Sequence, residues 1–344
     1  RRERVEAEVP DNVEPLVAVT SDSEATNTIF SLMYKSDLTK MKTGNDYRQG
    51  LVEYLFTAMI NQRLSELLQE ANPPYLYAST SIGSFITRNK GAFSCFAVPK
   101  PDDVEGGIAT LMKEIRRVEL HGFNESEMKT AKLNLMEGYK SAYKEKDNTE
   151  SAALTDELVS HFLEQEPVPG IEFEYQFVVD YLEGVSLTEV NAIISDQIKK
   201  ENRVMYLTAP EQEGVALPTT DDLLAWVAQS ENREVEALAE EEISTTLIAN
   251  EPKGGEVTQK EEVKELEATK LKLSNGAVVY LKKTDFKNDE ILFSAKRKGG
   301  ISLASDDDYW SASFASSIVA LSGVGEFSYI KLQKALAGKS VGVS

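Results

Sequence analysis

Two histidines occur in the 344-residue chain, His121 and His161. His161 opens the one pattern that approaches metal chemistry, His161-Phe162-Leu163-Glu164-Gln165. On a helix, imidazoles at i and i+4 share a face. A glutamate between them can take a proton from a metal-bound water. Here the fifth position is Gln165, whose neutral amide is a poor zinc ligand, so the set lacks a donor. The pattern predicts a helix-end histidine ahead of Pro167. His121 precedes Gly122 near a predicted helix C-terminus, where the dipole favours an imidazolium. It too reads as structural.

The other chemistry-bearing residue types are no better placed. There is no Gly-x-Ser-x-Gly elbow, Walker loop, dinucleotide fingerprint or Cys-x-x-Cys. Cys95 is the one cysteine, which excludes an internal disulfide. It lies in an apolar run and reads as an inert core thiol. Asp306-Asp307-Asp308 points three carboxylates in different directions, as a loop entering a helix N-terminus would. Gly299-Gly300 and Gly323-Val324-Gly325 read as turns, too sparse to cradle phosphate. Arg63 follows an apolar helix face, the place of a snorkelling or paired arginine. The residues therefore nominate no catalytic group and no metal ligand. They leave the substrate-binding residues unknown.

The net charge of -20 and pI near 4.7 argue against nucleic acid, whose phosphates need a basic face. They argue equally against docking on anionic lipid. An acidic surface suits basic peptides, though solubility accounts for it as well. No apolar run approaches the roughly 20 residues of a membrane span, so membrane insertion is not expected. No signal peptide opens the chain. Arg1 is not an initiator methionine, and Ser344 falls inside a helix–strand pattern. The expectation is a piece of something longer.

The elements that would position any site follow from periodicity. Val52, Leu55, Phe56, Met59, Ile60, Leu64 and Leu67 mark one face of a helix over 47–68, stopped by Asn72-Pro73-Pro74. Strands at 75–86 and 92–98 follow, with a hairpin turn at Arg88-Asn89-Lys90-Gly91. A strand is expected at 25–34, with Phe30 and Leu32 on one face and Ile29 and Met33 on the other. Residues 1–22 read as an entry segment. Asp102-Asp103 caps a second helix that ends at Gly122. Asn124-Glu125-Ser126-Glu127 opens a third, to about 146. Further helices are expected at 150–165, 172–183 and 187–200, the last with the capping box Ser186-Leu187-Thr188-Glu189. A returning strand is expected at 203–208. This order predicts an α+β fold, a mostly antiparallel sheet packed against a layer of helices.

From 211 to 265, fifteen acidic residues face four basic ones. The stretch reads as a solvated connector with a short helix around Leu223, Leu224, Trp226 and Val227, continued by 231–242. A second pattern then begins, with strands at 269–274 and 277–283 around the hairpin signal Asn275-Gly276. A third strand is expected at 290–296, helices at 309–321 and 328–336, and a strand opening at Val341-Gly342-Val343.

Together these stretches resemble the pitrilysin/insulinase family of zinc metallopeptidases. The likeness runs through Asp22-Ser23-Glu24-Ala25, Asp46-Tyr47-Arg48-Gln49-Gly50-Leu51-Val52 and Ile60-Asn61-Gln62-Arg63-Leu64-Ser65-Glu66-Leu67. It continues with Asn72-Pro73-Pro74-Tyr75, Phe123-Asn124-Glu125-Ser126-Glu127-Met128 and Tyr206-Leu207-Thr208. Over 22–210 the chain is similar to the second of the family's four homologous domains. Leu273-Ser274-Asn275-Gly276-Ala277-Val278-Val279-Tyr280-Leu281 resembles the opening of the third. Counting back from Gly323, the family's His-x-x-Glu-His positions hold Phe314, Ser317 and Ile318. The family's substrate-holding Arg/Tyr pair has no counterpart either, since Leu68 stands seven residues before Tyr75.

The resemblance implies a metallopeptidase-like α/β sandwich over 1–210, an acidic connector between halves over 211–267, and a truncated, degenerate third domain over 268–344. It implies a longer parent enzyme that hydrolyses peptides inside a two-halved chamber, with zinc held elsewhere and none in this fragment. The implied partners are peptide substrates and the catalytic N-terminal domain of the same chain. No residue writes the compartment; an exported bacterial peptidase of the periplasm or cell envelope is the expectation. The alternatives are a structural scaffold subunit of the same superfamily without proteolysis, and an unrelated acidic interaction module.

Overall fold

The computed structural model describes residues 7–211, 217–240, 244, 246–248 and 250–342. They divide into two units, Arg1–Met136 with Thr155–Glu242, and Glu137–Leu154 with Ile243–Ser344.

The first unit is built on a five-stranded sheet. Its strands are β1 (Leu16–Asp22), β2 (Ile29–Asp37), β3 (Tyr75–Phe85), β4 (Thr87–Pro99) and β5 (Arg203–Pro210), in the order β1-β5-β2-β4-β3. Only β1 and β5 pair in parallel. One face of the sheet carries Phe30, Leu32, Tyr34, Phe93, Cys95, Ala97, Met205 and Leu207, all buried. Against it packs α1 (Gly44–Glu66), through Leu51, Val52, Leu55, Phe56, Met59, Ile60 and Leu64. Burying these apolar side chains, at roughly 25 cal/mol per Å², is the main drive for the helix–sheet layer. The helices α2 (Val104–His121), α3 (Glu125–Lys144), α4 (Ser151–Glu164), α5 (Ile171–Tyr181) and α6 (Leu187–Gln197) follow, with α3 counted in this unit up to Met136 and α4 from Thr155. The fold is mixed α+β, as the element order predicts.

Several boundaries differ from the sequence reading. α1 starts earlier than 47 because Thr43 and Asp46 form a capping box. The Asp46 N–H donates to Thr43 Oγ1, and the Thr43 N–H donates to Asp46 Oδ2. Residues 16–22, read as entry segment, form β1; its partner β5 lies at the far end of the unit, so no local pattern announces the pairing. The hairpin turns at Ile86, whose φ is 58°, and not at residues 88–91. Lys90 and Gly91 lie inside β4, opposite Asp37 and Ser36. Gly91 serves close packing there: a Cβ would stand 3.3 Å from the Gly83 carbonyl oxygen and from Ser36 Oγ.

The acidic stretch is not uniformly a solvated connector. Its helix, α7 (Thr220–Glu231), is capped by Thr219 and Asp222 and buries Leu223 and Val227. It ends at Glu231, and the described residues 232–240 are not helical.

The second unit contains a three-stranded antiparallel sheet of β6 (Val257–Val263), β7 (Ala268–Leu273) and β8 (Val278–Leu281). Asn275-Gly276 makes the β7–β8 turn, with Gly276 at φ 85°. β6 falls where the connector was expected. The strand expected at 290–296 does not form: Ile291, Leu292 and Phe293 are 95%, 85% and 86% exposed. No described strand runs beside this stretch, and an apolar run without a ladder partner gains neither hydrogen bonds nor burial. Just before it, Lys144 Nζ donates to Asp289 Oδ1 at 2.7 Å, and the Asp289 N–H donates to Glu145 Oε1 at 2.6 Å. α8 (Tyr309–Ser322) and α9 (Tyr329–Ala335) form where helices are expected. Val341 and Gly342 are not in a strand, and Val343 lies outside the described residues.

Candidate functional site

The residues nominated by type and spacing do not converge. His161 sits in the last turn of α4, where its Nδ1 lies 2.6 Å from the Glu166 carbonyl oxygen. Glu164 accepts from Arg88 Nε at 2.9 Å, so its carboxylate is committed to an ion pair. Gln165 has left the helix with φ 63°. His121, at the end of α2, places Nε2 2.6 Å from the Val235 carbonyl oxygen. One α2 turn back, Arg117 Nε donates to the Glu236 carbonyl at 3.0 Å. These two side chains pin residues 235–236 along α2, which is the structural role of His121. The sequence pattern gave no sign of it, because the anchored carbonyls lie 114 residues away.

Cys95 is fully buried in β4, and burial pushes its thiol well up from the ordinary range, away from the reactive thiolate. Ser305 Oγ donates to Asp308 Oδ2 at 2.7 Å, and the Asp308 N–H donates back to Ser305 Oγ. This loop leads into α8. On α8, Phe314, Ser317 and Ile318 share the i, i+3, i+4 face, and none supplies an imidazole or carboxylate. Among the described residues no group of three or more His, Cys, Asp or Glu is placed to hold a metal. The residues at these α8 positions do not fit zinc, since a phenyl ring, a hydroxyl and an alkyl chain offer neither an imidazole nor a carboxylate.

Arg63 is the polar centre of the first unit. Its side chain is 5% exposed. Nε donates to Glu127 Oε1 at 2.6 Å and Nη2 to Glu127 Oε2 at 2.8 Å. Nη2 also donates to the Gly122 carbonyl at 3.1 Å, and the guanidinium carbon lies 4.8 Å from the Phe123 ring centre. Glu127 in turn accepts from the Asn124 N–H, and Asn124 Oδ1 accepts from the Glu127 N–H. One arginine therefore ties α1 to the end of α2 and the start of α3. The arginine is a paired one, holding helices and not a ligand.

A second polar device was not foreseen. Asn61, on α1, reaches the outer side of β3, where its Nδ2 donates to the Thr80 carbonyl at 2.9 Å and its Oδ1 accepts from the Thr80 N–H at 2.6 Å. Near the other end of the sheet, Lys90 Nζ donates to Asp11 Oδ1 at 2.7 Å and to Asp37 Oδ1 at 3.2 Å. The neighbouring Lys35 ammonium donates to the Pro10 carbonyl. Burial and the adjacent Lys90 lower the Lys35 pKa, with Asp11 opposing.

No helix among the described residues is long and apolar enough to cross a membrane. Residues 3–135 match the family described as the peptidase M16 inactive domain. The chain is 29% identical over 322 residues to a zinc protease PQQL-like protein of Arabidopsis thaliana, covering 93% of this chain and 30% of that protein. It is 22% identical over 329 residues to the probable zinc protease PqqL of Escherichia coli, covering 95% of this chain and 35% of that one. The chain thus spans about a third of the length of these relatives. In structure it is similar to the periplasmic protease PqqL of Escherichia coli, with TM-score 0.63 and 19% identity over 97% of this chain and 37% of the other. It is also similar to an insulinase family protease from Yersinia pestis, with TM-score 0.57 and 11% identity over 67% of this chain and 49% of the other. At such identities the structural likeness is one of fold. Residues 3–135 are thus similar to the peptidase M16 inactive domain, and nearly the whole chain is similar to part of the PqqL-like zinc proteases.

Proposed function

We propose that this chain is the non-catalytic middle portion of a zinc-dependent metalloendopeptidase that degrades peptides inside a two-halved chamber. In this reading residues 1–210 form a wall of that chamber, 211–267 the acidic connector between halves, and 268–344 the start of a degenerate third domain. The chain itself contributes no catalytic residue and no metal ligand. Zinc, and the residues that activate water, belong to the catalytic N-terminal domain of the longer protein. Its partners are that domain and peptide substrates, and its compartment is the periplasm or cell envelope, as for the periplasmic relative.

The observation that carries the reading is α8. By the resemblance, Phe314, Ser317 and Ile318 of this helix correspond to the ligands and base of the family's metal-binding helix. Phe314 and Ile318 are 57% and 60% exposed, so this helix presents an apolar face in place of metal donors. The run 291–293 is likewise exposed, so the second unit leaves apolar residues uncovered that further polypeptide of the same protein would cover.

The test is direct. The purified 344-residue chain is expected to hold no stoichiometric zinc by elemental analysis and to leave peptides uncut. The longer protein that contains it is expected to cut them, and to stop when residues 22–210 are removed. Stoichiometric zinc with peptide turnover by this chain alone would overturn the reading.

A further inference from the structure

α4 is oriented the wrong way round for a surface helix. Such a helix normally turns its apolar stripe to the core and its charges to water. α4 buries none of its residues. Along the part that belongs to the first unit, the half-buried positions are Glu157, Ser160 and Leu163. Glu164, on that same side, is tied to Arg88 of β4 at 2.9 Å. The side turned away carries Leu158, Val159 and Phe162, which are 60%, 47% and 61% exposed. Leu158 and Phe162 stand one turn apart with Val159 beside them, so they form one continuous apolar face directed at solvent.

The charge around this face says what chemistry covers it. Asp156 and Glu157 border the apolar residues, and Glu166 follows the end of the helix. From 155 to 198 the chain carries ten Asp and Glu and no Lys or Arg, so all 37 of its Lys and Arg lie outside this stretch. A second copy of the chain would bring the same acids to the same place, and like charges set against each other oppose pairing. An anionic lipid surface is opposed for the same reason. A polypeptide segment whose apolar face is bordered by Lys or Arg meets neither obstacle.

We propose that the outward face of α4 docks a basic helical segment of another polypeptide, with helix packed along helix. The apolar side chains of that segment cover Leu158, Val159 and Phe162, and its cations lie beside Asp156 and Glu157. The gain is mutual. A helix of 14 residues held mainly by its polar side is marginal in water by itself, and the partner supplies the apolar packing that α4 lacks. Because opposite charges steer the encounter, binding weakens as salt rises. The proposal goes beyond the function given above and does not depend on it. It concerns a surface of the first unit, and it stands or falls whether or not the longer protein cuts peptides.

The experiment uses the full chain and a labelled synthetic peptide of leucine and lysine, ordered so that the leucines line one helix face. One control peptide has the same residues in shuffled order, which keeps the charge and loses the face. The other has glutamate in place of every lysine. By fluorescence anisotropy the ordered lysine peptide is expected to bind roughly ten-fold more tightly than either control, and less tightly as salt is raised. Leu158→Gln with Val159→Gln is expected to lose roughly ten-fold in affinity for it. Asp156→Lys with Glu157→Lys is expected to turn the preference toward the glutamate peptide. Equal binding of the shuffled peptide overturns the proposal, since charge alone then suffices, and this comparison needs no variant. Binding unchanged by Leu158→Gln with Val159→Gln overturns it as well. If the chain instead doubles its 38.1 kDa mass at rising concentration and Leu158→Gln prevents this, the face belongs to a second copy and the proposal fails.

Discussion

Arg63 and Glu127, 64 residues apart, meet as a fork-on-fork pair, Nε to Oε1 at 2.6 Å and Nη2 to Oε2 at 2.8 Å. The pair is nearly buried, and each member has a second duty. Arg63 holds the Gly122 carbonyl, and Glu127 receives the Asn124 N–H at the start of α3. Removing one partner leaves the other charged in a place poor in water. Arg63→Ala is expected to cost about 3–5 kcal/mol in urea unfolding, the range for breaking a buried pair. Arg63→Lys is expected to recover only part of this, because an ammonium cannot grip both oxygens in one plane. A variant within error of wild type would show that the pair does not hold the helices.

Glu189 gives the fold a defined acid sensitivity. Arg48 donates to its carboxylate, with the Ser186 backbone and hydroxyl adding bonds, and the pKa falls from 4.5 to about 2. A depressed folded-state pKa contributes stability that is present above the unfolded value and lost as pH falls through the folded one. The contribution is therefore full above about pH 5 and fades between 4.5 and 2. Glu189→Gln is expected to be less stable than wild type near neutrality, with the gap closing across that window. Denaturant titrations at a series of pH values read this, and a gap constant with pH would rule it out.

Gly107 sets how closely α2 meets the sheet and the loop before β3. A Cβ there would lie 2.6 Å from Pro99 Cβ and 3.1 Å from the Pro74 carbonyl oxygen. Pro99 ends β4 and Pro74 precedes β3, so neither yields easily. Gly107→Ala is expected to destabilise by about 1–3 kcal/mol through overpacking, although alanine is the better helix former. Thermal unfolding measures the sign, and a rise in Tm would mean that the backbone gives way.

The segment after α7 is held on α2 by two side chains, Arg117 and His121, which bind the carbonyls of Glu236 and Val235. Arg117→Ala combined with His121→Ala is expected to make residues 232–240 several-fold more sensitive to limited proteolysis. Arg117 is also bonded to the buried Glu114 at 2.7 Å, so that variant loses stability as well. His121→Ala alone separates the two effects, since it frees the segment and leaves Glu114 paired. Unchanged cleavage in both variants would place the restraint elsewhere, on the buried Val235 side chain.

What the amino-acid sequence determined by itself is whatever depends on neighbours within a turn or two. The helices are legible because an apolar face repeats every three or four residues and because caps such as Ser186 with Glu189 act over three. The Asn275-Gly276 hairpin is legible because one glycine at φ 85° makes its turn. The want of a third metal donor after His161 and Glu164 is legible for the same reason. Tertiary structure decided everything that joins distant residues. It made a strand of residues 16–22 by pairing Leu16 with Val204, drew Lys90 and Gly91 into β4, and left 291–293 unpaired because no described strand lies alongside. It gave Arg63 its glutamate and Asn61 the peptide groups of Thr80. A helix closes its hydrogen bonds within its own segment, whereas strand ladders and buried ion pairs take their partners from wherever the chain returns. The local pattern names which residues want a partner, and only the fold says which one each receives.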